Sequence, residues 1–246
     1  MGKIRLFIDH PLAAGQPVPL TDGQAHYLSS VMRQGAGNEI AVFNGRQGEW
    51  RARIAALGRK GGQVDPVAQA RPQQDPPDLW LVFAPIKKAR TDFIVEKAAE
   101  LGAARIIPVQ TDHTNAERIR QDRLQAHAVE AAEQCGGTFV PPVDDLQSLG
   151  RLLDGWDAGR RILWADEALA GAARTLAALP RGPWAVLIGP EGGWSEAERG
   201  RLRALPFVTP ISLGPRILRA DTAAVAALAL WQSAAGDWGD AEAPQD

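Results

Sequence analysis

Short apolar runs separated by glycine-rich breaks make up the first part of the chain. The runs occupy residues 4–8, 39–43, 50–57 and 63–68, and Gly35, Gly37, Gly45 and Gly58 lie in the breaks between them. Short strands that alternate with turn residues are typical of a small antiparallel sheet or barrel. A single short helix is predicted within this part, over residues 26–32.

The pattern changes after a proline-rich segment at residues 71–78. Three prolines and three charged residues in this segment, RPQQDPPD, predict a stiff, solvated linker. Beyond it, apolar runs at residues 79–84, 106–109, 162–164, 185–188 and 208–212 alternate with helical patterns at residues 91–101, 118–135, 146–153, 168–179, 196–205 and 222–231. Strands that alternate with helices predict a mostly parallel sheet covered on both faces. We therefore expect two domains, residues 1–72 and 73–246.

Composition excludes several classes of protein. The chain has 246 residues, 45% of them hydrophobic and 23% charged, which is ordinary for a globular protein. No apolar run is long enough to cross a bilayer, and the first residues lack the apolar core of a signal peptide. The single cysteine, Cys135, excludes an internal disulfide and is typical of a reducing compartment, so we expect a cytoplasmic protein. The four histidines have no cysteine partners at ligand spacing, so no metal site is predicted.

Charge is distributed unevenly along the chain. The net charge is −2, yet residues 1–70 carry eight Lys/Arg against five acids, whereas the remainder carries 19 against 24. A basic first part on an acidic remainder favours contact between that first part and a polyanion. An imbalance of this size also arises by chance, so a second signal is needed.

The segment at residues 187–198, LIGPEGGWSEAE, joins an apolar run to a capped helix. Ser195 and Glu198 have the spacing of a capping box, which marks the start of the helix. Ligands of open α/β sheets collect beyond the carboxyl ends of strands, and glycines there let a ligand approach the main chain. The turn lacks the motifs of a P-loop and of a dinucleotide-binding loop, and Glu191 would repel a phosphate. A neutral or cationic ligand therefore fits better, with a tight turn that binds nothing as the alternative.

A second segment of similar design follows. Residues 211–219, ISLGPRILR, again leave an apolar run through Gly-Pro, and Asp221 or Thr222 can cap the helix that comes next. That helix is apolar on nearly every face, which predicts burial in the core or in a subunit interface. Two successive strand ends with Gly-Pro turns predict one cleft formed by neighbouring loops.

Together, the motifs G-P-E-G-G at residues 189–193 and S-L-G-P-R-I-L-R at residues 212–219 resemble the RsmE family of SPOUT-class methyltransferases, which methylate N3 of a uridine in 16S ribosomal RNA. Residues 5–9, 26–33, 83–109 and 130–143 also resemble that family, so the resemblance covers nearly the whole chain. It implies a PUA-like β-barrel that docks RNA, followed by a SPOUT α/β domain with a parallel sheet and a C-terminal trefoil knot. It also implies S-adenosylmethionine as cofactor, the 16S rRNA of the small ribosomal subunit as partner, and a homodimer.

The resemblance assigns the cofactor to these two turns and to the end of a third strand. Main-chain groups there would pair with the adenine edge, and Glu191 would favour the sulfonium cation. The residues assigned to the cofactor are Ala165, Glu167, Ile188, Gly189, Pro190, Glu191, Gly192, Gly193, Ile211, Leu213, Gly214, Ile217 and Leu218.

Catalytic and RNA-binding roles are assigned to charged residues. Arg219 would stabilise the negative charge that develops on the uracil oxygens, and Asp221 would accept the N3 proton. The candidate phosphate contacts are Arg5, Arg33, Lys87 and Lys88.

Two positions depart from the family pattern. Relatives usually have Arg-Thr-Glu-Thr-Ala where residues 219–223 of this chain are RADTA, so the carboxylate of Asp221 has a shorter reach. Many relatives carry an Arg-Ser pair in the segment that is TDHTN here, at residues 111–115. The alternatives are a SPOUT enzyme with another RNA target, such as a ribose 2′-oxygen, and an RNA-binding module without catalysis.

Overall fold

The computed structural model describes residues 4–116, 118–166, 168–169 and 179–238. The chain folds as two compact units. The first comprises the residues up to Asp75 together with residues 132–140, and the second comprises residues 76–131 and those from Pro141 onward. Residues 132–140 are remote in sequence from the rest of the first unit, and no pattern in the sequence indicates that they join it.

The described part of the first unit contains a sheet of five strands. Its strands are β1 (Arg5–Phe7), β2 (Val18–Leu20), β3 (Glu39–Phe43), β4 (Glu49–Gly58) and β5 (Gly61–Arg71), in the order β1-β3-β4-β5-β2. β1 runs parallel to β3, whereas the other neighbours pair antiparallel. Side chains such as Ile40, Ile54 and Val64 are fully buried in one core cluster. The four predicted runs form strands, but β2 is not predicted, because three residues around a proline show no periodicity.

The helical segment of the first unit begins earlier than predicted. Helix α1 (Asp22–His26) begins at Asp22 because Thr21 and Gln24 form a capping box, in which each side chain accepts a hydrogen bond from the other residue's backbone N–H. The segment continues as a π-helical turn over Tyr27–Val31. Arg33 follows with a φ of 52°, in the left-handed region that residues other than glycine seldom adopt.

Six parallel strands form the sheet in the described part of the second unit. They are β6 (Leu79–Phe83), β7 (Arg105–Gln110), β8 (Gln147–Ser148), β9 (Arg161–Ala165), β10 (Trp184–Ile188) and β11 (Val208–Ile211), in the order β11-β9-β10-β6-β7-β8. All five residues of β10 are buried, as expected for a central strand covered on both faces. The predicted α/β class with a parallel sheet is confirmed. β8 consists of two polar residues and is not predicted.

Helices occupy the connections between these strands. They are α2 (Lys88–Glu100), α3 (Gln121–Cys135), α4 (Leu149–Asp154), α5 (Glu196–Ala204) and α6 (Ala220–Ala235). Leu153 of α4 and Leu202 of α5 join a core cluster with strand side chains such as Leu187, while α6 packs against α2 and β10. Most of the helix predicted over residues 168–179 lies outside the described residues. Every described helix falls short of the length or apolar character that a membrane span requires.

Candidate active site

The carboxyl ends of β9, β10 and β11 lie side by side, because these strands are neighbours in a parallel sheet. A cavity of about 740 Å³ lies at these strand ends, which is a usual size for a small-molecule site. It is lined by the end of β9, by residues 188–194 and 211–220, by Arg90 of α2 and by Ala223 of α6. The two Gly-Pro turns therefore share one cavity, as predicted.

β10 continues into the glycine loop, which we define as residues 189–194. Gly189 permits a close approach there, since a Cβ at this position would lie 2.8 Å from Cε2 of Trp194. Gly193 has a φ of 68°, and its N–H donates to the Pro190 carbonyl at 3.0 Å, which closes a tight turn. The predicted capping box of Ser195 and Glu198 then begins α5. The shape of the loop thus depends on the glycines that mark it in the sequence.

The second turn, residues 212–219, connects β11 to α6. Ser212 Oγ accepts a hydrogen bond from the Gly214 N–H at 3.3 Å and donates to the Gly214 carbonyl at 3.1 Å, with a φ of 111° at Gly214. Arg219 is the N-cap residue of α6, and its carbonyl accepts from the Ala223 N–H at 2.8 Å. The Arg219 side chain is exposed, lines the cavity and makes no hydrogen bond among the described residues. Its guanidinium can therefore bind a ligand.

A buried carboxylate lies at the end of β9. Asp166 is 1% exposed and accepts hydrogen bonds from Arg199 and Arg203 of α5. Two guanidinium partners offset the cost of removing this charge from water. Trp194 Nε1 also donates to the Ala165 carbonyl at 3.2 Å. These contacts hold the end of β9 against the glycine loop and the helix that follows it.

Arg90 connects the glycine loop to the first turn of α6 electrostatically. Its Nη1 donates to Glu191 Oε1 at 3.0 Å, and its Nε lies 3.7 Å from Asp221 Oδ2 in the first turn of α6. The three side chains are 18% to 42% exposed, so solvent weakens the ion pairs. Arg90 thus shares its positive charge between two carboxylates, and Arg216 and Arg219 are further cations in the lining.

Nearly all the residues assigned to the cofactor line this cavity. They are Ala165, Ile188, Gly189, Pro190, Glu191, Gly192, Gly193, Ile211, Leu213, Gly214, Ile217 and Leu218. Glu167 lies outside the described residues. Asp221 is not among the lining residues, and its Oδ1 accepts a hydrogen bond from the Thr222 N–H at 2.9 Å. No group of three or more His, Cys, Asp or Glu side chains in the described ranges could hold a metal ion.

The four candidate phosphate contacts differ in exposure. Arg33, Lys87 and Lys88 are exposed. The side chain of Arg5 is only 11% exposed, and it donates to Glu49 and to the carbonyls of residues 132, 133 and 137 at 2.6 to 2.9 Å. It also lies 4.6 Å above the ring of Phe43. The assignment of Arg5 to a phosphate contact is therefore corrected, because its guanidinium is used inside the first unit.

Glu49 is the acceptor at the centre of that arrangement. Its side chain is 8% exposed and accepts from Arg5 at 2.7 Å and from Arg71 at 2.8 Å. Burial raises the pKa of Glu49, but the hydrogen bonds and positive charges of the two arginines outweigh burial and hold the pKa below its usual 4.5. The carboxylate is therefore charged in the folded first unit.

The sequence pattern does not predict two residues of the site, Arg90 and His113. Arg90 lies in the first turn of α2, after β6, and β6 is the strand beside β10. The segment after β6 therefore reaches the same edge of the sheet as the glycine loop, but the order of the strands is not visible in the sequence. His113 follows β7, and its Nδ1 lies 3.0 Å from the Gly192 carbonyl oxygen. No local pattern signals this contact, because β7 is separated from β10 by β6.

Comparison with known families defines first the class of protein. The family model described as an RNA methyltransferase domain matches residues 73–232, and the one described as an RNA methyltransferase PUA domain matches residues 20–67. A ribosomal RNA small subunit methyltransferase E from Synechocystis is 32% identical, over 86% of this chain and 71% of its own. Another from Rickettsia conorii is 28% identical, over 92% of this chain and 93% of its own. The chain belongs to the ribosomal RNA small subunit methyltransferase E family.

Solved structures resemble the chain over nearly its full length. The ribosomal RNA small subunit methyltransferase E of Neisseria gonorrhoeae, bound to S-adenosyl methionine, has a TM-score of 0.88 at 28% identity and covers 96% of this chain and 100% of its own. A Legionella pneumophila protein in complex with the bound cofactor SAM has a TM-score of 0.86 at 27% identity, with the same coverage. The predicted PUA-like domain followed by an α/β methyltransferase domain with a parallel sheet is confirmed. The trefoil knot stays a prediction.

Proposed function

We propose that this protein binds S-adenosylmethionine at the ends of β9, β10 and β11 and methylates N3 of a uridine in the 16S rRNA of the small ribosomal subunit. The observation that carries the proposal is the meeting of the glycine loop and the second turn in one cavity of about 740 Å³. The bound S-adenosyl methionine of the Neisseria gonorrhoeae relative supports the choice of cofactor. The family membership supports the choice of rRNA.

The lining of the cavity suits this cofactor. Apolar side chains such as Ile188, Ile211 and Leu218 would contact the adenine, and main-chain groups of the two turns would pair with its polar edge. The carboxylate of Glu191, which lines the cavity, would favour the sulfonium cation. When bound, the cofactor supplies an electrophilic methyl group.

Arg219 is the residue best placed to act on the uracil. N3 can attack only when its proton leaves, and the negative charge then spreads over the neighbouring uracil oxygens. The guanidinium of Arg219 faces the cavity without a competing partner among the described residues, so it would stabilise that charge. Asp221 is the proposed proton acceptor, and it would have to turn from Arg90 toward the base to act. Correct alignment of N3 with the methyl carbon would supply much of the rate.

Exposed cations are proposed to hold the RNA. Arg33, Lys87 and Lys88 would contact phosphates, which set the affinity of most protein–RNA complexes. Lys87 is also the N-cap residue of α2 and makes no side-chain cap, so the N-terminus of that helix adds positive potential. The target uridine would have to leave its stack to reach the cavity. A protein that acts on this substrate would work in the cytoplasm.

We also propose that the protein is a homodimer. Phe93 of α2 and Leu230 of α6 are 39% and 41% exposed, on two helices that pack against each other. α6 buries Ala227, Trp231 and other residues in its own unit, but Leu230 remains outside that core. A second copy would cover such apolar side chains. Sedimentation analysis should give a dimer for the wild type and a monomer for Leu230→Arg; a wild-type monomer would contradict this part of the proposal.

Two measurements test the function. Calorimetric titration with S-adenosylmethionine should show binding, whereas an RNA-binding module without catalysis need not bind it. Mass mapping of 16S rRNA from cells with and without the protein should place one additional methyl group on the base of one uridine. A methyl group on a ribose 2′-oxygen would support the alternative target instead.

A further inference from the structure

The loop after β7 contacts the glycine loop without lining the cavity. We call residues 111–115 the β7 loop. We propose that two of its residues, Asp112 and His113, are positioning residues that hold the glycine loop in the shape that binds the cofactor. The inference rests on the proposed function. It concerns the segment TDHTN at residues 111–115.

His113 binds the main chain of the glycine loop directly. Its Nδ1 lies 3.0 Å from the Gly192 carbonyl oxygen and 3.3 Å from that of Gly193. Carbonyl oxygens only accept, so Nδ1 carries the proton and donates to the pair. A Cβ at Gly192 would lie 3.0 Å from Cβ of His113, closer than nearly all such contacts. Gly192 is thus needed for the histidine to come this near.

Asp112 binds the residues that directly follow the glycine loop. Its carboxylate accepts a hydrogen bond from the Ser195 hydroxyl, and its N–H donates to Glu198 Oε1 at 2.9 Å. Glu198 Oε2 in turn accepts from the Ser195 N–H at 3.0 Å. Asp112 is therefore joined to the capping box that begins α5. In the sequence, the residues that His113 contacts precede Trp194, and those that Asp112 contacts follow it.

The β7 loop is itself closed by hydrogen bonds. The Thr111 N–H donates to Thr114 Oγ1 at 2.9 Å, and the Thr114 N–H donates to the Thr111 carbonyl at 3.1 Å. The two hydroxyl groups lie 2.8 Å apart, and Thr111 is 7% exposed. The β7 loop is therefore a fixed support for Asp112 and His113.

A preordered loop should affect binding more than chemistry. The glycine loop cannot move away from His113 without breaking its hydrogen bonds to that side chain, and Asp112 holds Ser195, the residue that follows the loop. A loop that is already ordered loses less conformational freedom when a ligand binds, so affinity increases. Since neither Asp112 nor His113 lines the cavity, the rate at saturating cofactor should depend little on them.

A matched set of variants at residue 113 tests this role. The amide nitrogen of Asn stands at the position of Nδ1, whereas that of Gln stands nearer to Nε2, so His113→Asn keeps the donor and His113→Gln displaces it. We expect His113→Ala and His113→Gln to weaken S-adenosylmethionine binding about five- to tenfold, the effect of one lost hydrogen bond, and His113→Asn to remain within about twofold of wild type. The kcat at saturating cofactor should change less than about twofold in all three variants, because the hydrogen bond of residue 113 affects cofactor binding, which precedes the chemical step.

Asp112 offers a second series with the same logic. Asp112→Asn keeps an acceptor for the Ser195 hydroxyl and should bind nearly as wild type, whereas Asp112→Ala should bind more weakly. His10→Ala, at an exposed residue of the first unit, is the control and should bind as wild type. Thermal unfolding of each variant verifies that it is folded.

The outcomes separate this inference from the proposed function. If the wild type binds S-adenosylmethionine and both alanine variants bind it equally well, the positioning role is refuted while the proposed function stands. An affinity of His113→Asn as poor as that of His113→Ala would also refute it, because the hydrogen bond would then be irrelevant. A wild type that binds no S-adenosylmethionine would refute the proposed function itself.

Discussion

Gly189→Ala adds one methyl group where the glycine loop passes Trp194. The new Cβ would lie 2.8 Å from Cε2 and 3.0 Å from Cζ2 and Nε1 of the indole, against an optimal carbon–carbon separation of about 3.5–4 Å. Trp194 is 4% exposed and packs edge-on against Trp164, with ring centroids 6.0 Å apart, so the indole has little room to move. Overpacking of this kind costs about 1–3 kcal/mol.

The same displacement should weaken cofactor binding, because Gly189 and Trp194 both line the cavity. We expect a decrease in Tm of about 2–4 °C for each kcal/mol lost and an affinity for S-adenosylmethionine at least about tenfold lower, which corresponds to about 1.4 kcal/mol. Thermal unfolding and calorimetric titration measure the two effects.

Gly200→Ala is the matched control for this substitution. A Cβ at Gly200 meets nothing within 4 Å, and the residue is exposed within α5. Alanine is the better helix former by about 1 kcal/mol, so the control should be as stable as the wild type or more so. Wild-type Tm and affinity in Gly189→Ala would refute the close approach to Trp194 as the reason for glycine at this position.

Three other substitutions test single side chains. Arg219→Ala should lower kcat for rRNA methylation about 100-fold or more and retain the affinity for S-adenosylmethionine, since a group that stabilises developing charge acts on the chemical step. Equal losses of kcat and of cofactor affinity would instead assign Arg219 to the cofactor site. Asp166→Ala should reduce the free energy of unfolding by about 3–5 kcal/mol in denaturant titrations, because it breaks a buried ion pair. Asp154→Ala, at an exposed ion pair, should reduce it by less than about 1 kcal/mol. Similar losses in the two variants would contradict the role of burial. The lowered pKa of Glu49 predicts a contribution to stability that is complete above its unfolded pKa, near 4.5, and is lost as the pH falls through the lowered folded value. Melting curves across acidic pH should show this loss in the wild type and not in Glu49→Gln, and parallel curves would refute it.

The strand ends of the site could be located from the sequence for a physical reason. Central strands of a parallel sheet are buried on both faces, so the run that ends at Ile188 is wholly apolar, and the Gly-Pro that follows marks its end. Parallel strands present their carboxyl ends on one edge, which brings the turns after Ile188 and Ile211 together. The position of the two turns at one edge of the sheet was therefore predictable, whereas the individual cofactor residues were assigned from the family resemblance.

Contacts that depend on strand order or on distant carbonyl groups were not predictable in this way. Arg90 joins the site because β6 lies beside β10, and no local pattern encodes that neighbour. Arg5 resembles any solvated cation in the sequence, yet its acceptors include main-chain oxygens of residues 132, 133 and 137. Side-chain charge is visible in a sequence, but the groups that neutralise it are visible only in the fold.

The central place of β10 also bears on how the chain is made. Synthesis delivers β6, β7 and β8 first and β9 later, but β9 and β6 have no strand between them until β10 has been translated. A chain that stops before residue 184 therefore carries unpaired edges on both β6 and β9, and open edges of this kind recruit other chains. Premature stop codons between the codons for residues 165 and 184 should thus yield aggregates, with no weakly active product.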